Sequence, residues 1–125
     1  MQSQNLKFKT DLKQRSYKFS LDIIAFIDKL SKDMSTQIIA KQLLRSATSI
    51  GANIIEAQAS PSKKDFTNFF SHSLKSANES RYWLELLKDS DKADKGMVEP
   101  LLQEAKEIAN ILGSSILTLK GRNKF

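Results

Sequence analysis

The sequence predicts an all-α protein, folded as an up-down-up-down, left-handed antiparallel four-helix bundle. Apolar residues recur at alternating steps of three and four in four separate stretches. Short polar or proline-containing segments separate these stretches, so successive helices are expected to return antiparallel. No stretch shows strand-like alternation of comparable quality, and no repeat or second domain is evident. A single domain over residues 1–125 is therefore expected.

The first helix is predicted over about residues 10–32. Residues 1–9 carry no apolar period, whereas Asp11 suits the positive end of a helix dipole. A short polar break follows, in which Ser35 or Thr36 can cap the next helix. The apolar stripe of the first helix contains Leu12, Ser16, Phe19, Ile23, Phe26 and Leu30.

The second helix is predicted over about residues 36–59, and small residues occupy its middle. Small side chains allow a close helix approach, which suits the bulky Phe and Trp residues of the third helix. Glycine inside a helix costs about 1 kcal/mol relative to alanine, so Gly51 is expected to have a packing reason. The stripe contains Ile39, Leu43, Ala47, Ile50, Ile54 and Ala57.

The third helix is predicted over about residues 62–88, after the clearest stop signal in the chain. Pro61 cannot extend the preceding helix. Ser62 and Asp65 form an acidic variant of the capping box. The stripe of the third helix steps through Phe66, Phe70, Ser73, Ala77, Ser80, Leu84 and Leu87.

The fourth helix is predicted over about residues 97–120, which places Pro100 in its first turn, where a missing N–H does little harm. A start near Asp94 would instead predict a kink at Pro100. Gly121 is a stop signal.

Composition restricts the classes of function. The chain is 40% hydrophobic and 27% charged, with a formal net charge of +6. It contains no cysteine, which excludes disulfides and cysteine-ligated metal sites. No apolar run approaches the roughly 20 residues of a membrane span, and the first residues lack the apolar core of a secretory signal. We expect a cytoplasmic protein without a membrane partner.

Two blocks of the chain, Gln42–Ala57 (QLLRSATSIGANIIEA) and Asp65–Leu87 (DFTNFFSHSLKSANESRYWLELL), resemble the "four helix bundle protein" family. The founders of this family are encoded by intervening sequences in bacterial large-subunit ribosomal RNA genes. The resemblance spans about residues 12–120, and Ala57 replaces a glycine common in the founders. Its most specific pieces are Ser49-Ile50-x-x-Asn53-Ile54-x-Glu56, Phe66-x-x-Phe69, Ser76-x-x-Glu79 and Glu79-Ser80-Arg81-Tyr82-Trp83-Leu84.

The resemblance implies a bundle that assembles into a ring, with a homopentamer favoured. A related accessory protein of diversity-generating retroelements forms such a barrel, whose basic surface associates with nucleic acid and a reverse transcriptase. The intervening-sequence branch carries no known catalytic residue or cofactor. We therefore expect a protein that is not an enzyme and that needs no cofactor or metal.

Antiparallel geometry gathers half of the basic residues at one end of the bundle, where the first helix starts, the second turns into the third, and the fourth ends. We term this end the single-turn pole, and the opposite end, which holds the other two turns, the double-turn pole. The double-turn pole mixes both charge signs and is roughly neutral. Phosphate backbones would be attracted to the single-turn pole. Its basic residues are Lys7, Lys9, Lys13, Arg15, Lys18, Lys63, Lys64, Lys120, Arg122 and Lys124.

These charges support two readings of function. One is nonspecific binding of RNA or DNA, since no sequence-reading motif is present. The other is a protein-interaction module or accessory subunit with a solvated basic face. Tyr82 and Trp83 could stack on bases, although Trp83 is better explained by packing and Tyr82 by a place near a rim.

Asn53, Glu56, Ser76 and Glu79 lie beside the apolar stripes of the second and third helices. We expect them to form a structural hydrogen-bonded layer between those helices, since buried polar groups need partners. A catalytic or metal-binding carboxylate pair in the bundle core is the enzymatic alternative. His72 is expected to pack or to lie at an interface, and the absence of any Glu-x-x-His sequence excludes a ferritin-like di-iron site.

Overall fold

The computed structural model describes residues 2–121, with side chains from residue 11 onward. These residues form four α-helices and no strand, which confirms the predicted all-α fold. The helices are α1 (Gln2–Asp28), α2 (Met34–Ala59), α3 (Lys63–Asp89) and α4 (Lys95–Gly121).

The helices pack as a four-helix bundle in which chain neighbours are also neighbours in space. Each helix contacts the next one, and α4 returns to contact α1, while the backbones of the diagonal pairs lie further apart. Pairing of α2 with α3 is antiparallel, because Ser46 lies against Ser80 whereas Ile50, further along α2, binds Ser73, which is earlier in α3. Short turns reverse the chain between the other successive helices too, so the order is up-down-up-down.

The predicted stripes form the core. Phe19, Ile23, Leu43, Leu84 and Leu112 are among the side chains with almost no solvent exposure. Burial of one such side chain contributes about 1.5–3 kcal/mol relative to leaving it in water. The core therefore supplies most of the force that holds the four helices together.

Small polar side chains on the same stripes bring α2 and α3 together. The Oγ atoms of Ser46 and Ser80, both buried, are 2.9 Å apart. Ser73 Oγ, also buried, donates a hydrogen bond of 2.8 Å to the carbonyl of Ile50. The hydroxyls satisfy one another or the backbone, so their burial leaves no unpaired group.

The first helix differs from its predicted range at both ends. It begins at Gln2 rather than near Thr10, because residues 2–10 contain no glycine or proline and a helix can extend without an apolar period. It ends at Asp28, where Lys29 and Leu30 donate to the carbonyls of Phe26 and Ile27 in a final tight turn.

The starts of the other helices also differ by a residue or two. Asp33, not Ser35 or Thr36, caps α2 by accepting a bond from Thr36 N at 3.3 Å. Ser62 caps α3 as predicted, accepting from Asp65 N at 3.1 Å. The fourth helix begins at Lys95, so Pro100 lies beyond the first turn rather than in it.

The end of α3 carries a feature that the sequence did not signal. Asp91 has a positive φ of 58°. Lys92 N donates to the carbonyl of Leu87, and Asp91 N donates to that of Lys88. This pair of bonds is a Schellman motif, in which the left-handed residue is usually glycine.

Candidate nucleic-acid interface

Four of the predicted basic residues lie exposed at or near the single-turn pole within the described side chains. Lys63 and Lys64 occupy the first turn of α3, Lys120 the last turn of α4, and Lys13 the outer side of α1. The nearby carboxylates are Asp11, Glu56 and Asp65.

Four further predicted members of the pole have side chains outside the described set. Lys7 and Lys9 belong to α1 by their backbone, but their side chains are outside the described set. Arg122 and Lys124 lie outside the described residues altogether.

Arg15 is a correction to the predicted basic surface. Its guanidinium is held halfway along the bundle, with Nη2 2.6 Å from Glu104 Oε1 and 3.1 Å from Glu107 Oε1. The hydrogen bond to Glu104 is the main reason that the pKa of Arg15 is raised. The pKa of Glu107 is lowered by hydrogen bonds from Gln103 and then Arg15. Arg15 therefore joins α1 to α4 and is not available as a free cation.

Lys18 is exposed, but its charge is balanced within its own helix. Lys18 Nζ lies 2.8 Å from Asp22 Oδ2, one turn further along α1. The hydrogen bond to Asp22 is the main cause of the raised pKa of Lys18. Its contribution to a basic surface is smaller than the sequence alone implied.

The double-turn pole pairs its charges across elements. Lys88 Nζ lies 3.1 Å from Glu99 Oε1, and Lys92 Nζ lies 3.2 Å from Asp33 Oδ2. Lys13, Lys64 and Lys120 form no ion pair with any other described residue, and neither do Lys29, Lys32 and Lys95 of the double-turn pole. The two poles differ instead in their carboxylates, because six lie at the double-turn pole and three near the single-turn pole.

The predicted polar layer between α2 and α3 is wrong in its members. Asn53 Nδ2 donates to Ser49 O of its own helix. Glu56 and Glu79 are exposed, and Ser76 is only half-buried. Each of the four lies beside the buried seam rather than on it, so its side chain cannot reach across. The real links use residues of the stripes themselves, namely Ser46, Ser73 and Ser80.

Metal-binding and membrane-spanning features are absent from the described residues. His72 is exposed, and the residues that the structure describes include no group of His, Asp and Glu arranged to hold a metal ion. Over the same described part of the chain, no helix has both the length and the apolar character required for a membrane crossing.

An open groove, which sequence reasoning missed, lies in the half of the bundle nearer the single-turn pole. Its volume is about 1730 Å³, and residues of all four helices line it, including Lys13, Tyr17, Phe66 and Asn110. We term it the pole groove. The sequence feature that could have indicated this groove is Tyr17, an aromatic residue that lies off the apolar stripe. Its side chain is 67% exposed.

Tyr82 and Trp83 lie on α3, diagonal to α1. Tyr82 is 60% exposed and its ring meets that of Trp83 edge to face, with centroids 5.0 Å apart. Trp83 packs against the core, and its buried Nε1 has no hydrogen-bond partner among the described residues.

Comparison with known proteins gives a matching family model and similar solved structures. The family model described as 23S rRNA-intervening sequence protein matches residues 9–114. A crystal structure of a protein of unknown function from the S23 ribosomal protein family of Bacteroides thetaiotaomicron is 37% identical to this chain. It superposes with a TM-score of 0.81 over 87% of this chain and 97% of the other. No curated protein matches the chain.

Proposed function

This chain belongs to the 23S rRNA-intervening sequence protein family, and from that premise we propose a non-enzymatic, self-assembling bundle that binds RNA or DNA nonspecifically. The single-turn pole is the binding surface. The bacterial cytoplasm, where such RNA is made, is the proposed location.

The observation that carries this proposal is the contrast between the two poles. The double-turn pole holds five lysines and six carboxylates, whereas Lys13, Lys63, Lys64 and Lys120 of the single-turn pole lie near only three carboxylates. An excess of lysines on one surface can neutralise phosphates, and the counterions held by the nucleic acid are then released. This binding is indifferent to sequence, in keeping with the absence of a base-reading motif.

The test is fluorescence anisotropy with labelled RNA and DNA at two salt concentrations. With about four phosphate contacts to a single strand, affinity should fall roughly fiftyfold between about 50 and about 200 mM salt. The triple variant K13E/K64E/K120E should abolish binding. Its matched control, K29E/K32E/K95E, changes the net charge equally, from +6 to 0, and should retain most of the affinity.

The control distinguishes binding through a localised surface from binding that depends on net charge alone. Equal loss in both triple variants would contradict the proposed pole. Absence of any binding at low salt would contradict nucleic-acid binding itself and favour the accessory-subunit reading.

Self-assembly is supported by apolar side chains that the fold leaves in solvent outside the pole groove. Ile24 is 43% exposed, Ile38 55% and Leu44 37%. These side chains would be covered by contact with another copy, and family resemblance favours a pentamer of this same chain. Light scattering should give a mass of about 70 kDa, which is five times 14.1 kDa.

Variant I24K/L44K should lower that mass towards 14.1 kDa, because a buried unpaired charge is costly. The double variant N68K/N78K on α3 is the matched control, since it adds the same charge at two exposed polar positions. A wild-type chain that scatters as a monomer would contradict self-assembly.

A further inference from the structure

The pole groove has an unusual set of charges for an apolar cleft. Lys13 and Lys18 line its rim on α1, and Lys63 lines it at the start of α3, whereas no carboxylate is among its described lining residues. Its floor includes Phe66 and Phe70. The groove therefore presents apolar surface with a positive border, and the charge complementarity favours an occupant that is anionic and has flat apolar parts.

Tyr17 stands beside a cation of its own helix. It lies one turn after Lys13, so the exposed ring and the Lys13 ammonium group share one face of α1. An aromatic face next to a cation is the arrangement that stacks a nucleobase while a phosphate is held beside it. Bases are free to stack on a side chain in single strands, but not within a duplex.

Unused hydrogen-bonding groups line the side of the groove between α1 and α4. Gln14, Asn110, Ser114 and Thr118 line it, and their side chains make no hydrogen bond with any residue that the structure describes. Amides and hydroxyls both donate and accept, so they can meet the edges of any base or sugar. Such groups suit contacts that tolerate sequence variation.

The size of the groove favours a polymer over a small ligand. Its volume of about 1730 Å³ exceeds the roughly 300–1,000 Å³ of pockets that enclose small molecules. It is also open to solvent, whereas small-molecule sites bury most of their ligand. An extended chain that passes through the groove meets this geometry better than a metabolite does.

We propose that the pole groove binds single-stranded nucleic acid, with Tyr17 as the stacking platform and Lys13 as a phosphate contact. This inference rests on the proposed function and specifies its substrate class. RNA and DNA strands share the recognised chemistry, because neither stacking nor a phosphate contact requires the 2′-hydroxyl.

The test compares a single strand of about 16 nucleotides, as RNA and as DNA, with a duplex of the same sequence. Wild-type protein should bind both single strands at least about tenfold more tightly than the duplex, because loss of one stacked base is worth about that factor. Tyr17→Leu should weaken binding to the single strands about tenfold, while leaving binding to the duplex unchanged.

Two variants make the result specific to stacking. Tyr17→Phe keeps the ring and should retain wild-type affinity. Tyr82→Leu removes an equally exposed tyrosine on the helix diagonal to α1 and should also retain it. Circular dichroism and light scattering of every variant establish that the fold and mass are unchanged.

The outcomes separate the two proposals. If Tyr17→Leu behaves like Tyr82→Leu, or the duplex binds as well as the strands, the groove inference is wrong, while salt-dependent binding lost in K13E/K64E/K120E would still support the basic pole. If no nucleic acid binds, both proposals fail. If poly-glutamate binds and nucleic acid does not, the groove is assigned to an acidic protein. If the mass of Tyr17→Leu differs from that of the wild type, the groove is assigned to a second copy of the chain.

Discussion

At the scale of single residues, Asp33 is the most heavily used carboxylate in the described structure. It caps α2 and accepts bonds from the hydroxyls of Ser31, Ser35 and Thr36, while Lys92 Nζ reaches it from the far turn. The bond from Ser31, followed by that from Thr36, lowers the pKa of Asp33 well below its ordinary value of 3.8. The charged form is therefore the one that the fold stabilises.

This shift predicts an acid-sensitive contribution to stability. A carboxyl whose folded pKa is lowered stabilises the protein above its unfolded pKa, and the contribution disappears as pH falls towards the folded value. Asp33→Asn keeps a good N-cap but removes the charge. Its Tm should lie below wild type at neutral pH, and the two Tm curves should converge as pH is lowered beneath 3.8. Parallel curves down to the lowest pH would show that the charge contributes nothing.

Asp91 supplies a second prediction at this scale. Its φ of 58° is one that L-residues adopt at a cost, and glycine adopts freely. Asp91→Gly should therefore raise the free energy of unfolding by about 0.5–1 kcal/mol. Chemical denaturation measures the change, with Asp89→Gly, which lies inside α3, as a control expected to be destabilising. Destabilisation by Asp91→Gly would mean that its side chain matters more than its backbone.

At the scale of helices, Gly51 in α2 and Gly113 in α4 test how closely the helices approach. A Cβ at Gly51 would lie 3.5 Å from Ser16 Cβ, an ordinary contact, and a Cβ at Gly113 would meet nothing within 4 Å. The expectation that Gly51 is needed for packing is therefore wrong. Helical Gly→Ala substitutions gain up to about 1 kcal/mol.

Gly51→Ala should stabilise the protein by about 0.5–1 kcal/mol, and Gly113→Ala by about 1 kcal/mol, measured by denaturant titration. Gly113→Ala is the reference, because its added methyl group touches nothing. Stabilisation at Gly113 together with destabilisation at Gly51 would restore the packing role of Gly51.

At the scale of the whole molecule, we propose that residues 1–125 form one domain that unfolds cooperatively. Every helix of the bundle touches both of its neighbours, so no described helix buries its stripe without the others. Trp83, the only tryptophan, reports on the α3 core by fluorescence, and far-UV circular dichroism reports on all four helices. The two unfolding curves should coincide. A helical signal that is lost in a separate step would contradict the single domain.

The candidate site was only partly predictable from the sequence. Lys63 and Lys64 follow Pro61 and Ser62, whose local signals fix the start of α3, so their place at the pole follows from chain order. Arg15 could not be placed in this way, because its partner Glu104 is 89 residues away and only packing of α1 against α4 brings them together.

The sequence by itself determined four helices, their alternating direction and most of the core, because periodic spacing and short turns are local properties of the chain. The tertiary structure alone decided which polar residues are linked and which are left in solvent. Asn53 and Ser46 are both polar residues of α2, but only Ser46 lies on the buried seam, opposite Ser80. The pole groove likewise exists only because four helices meet around it, so no single stretch of sequence carries its signal.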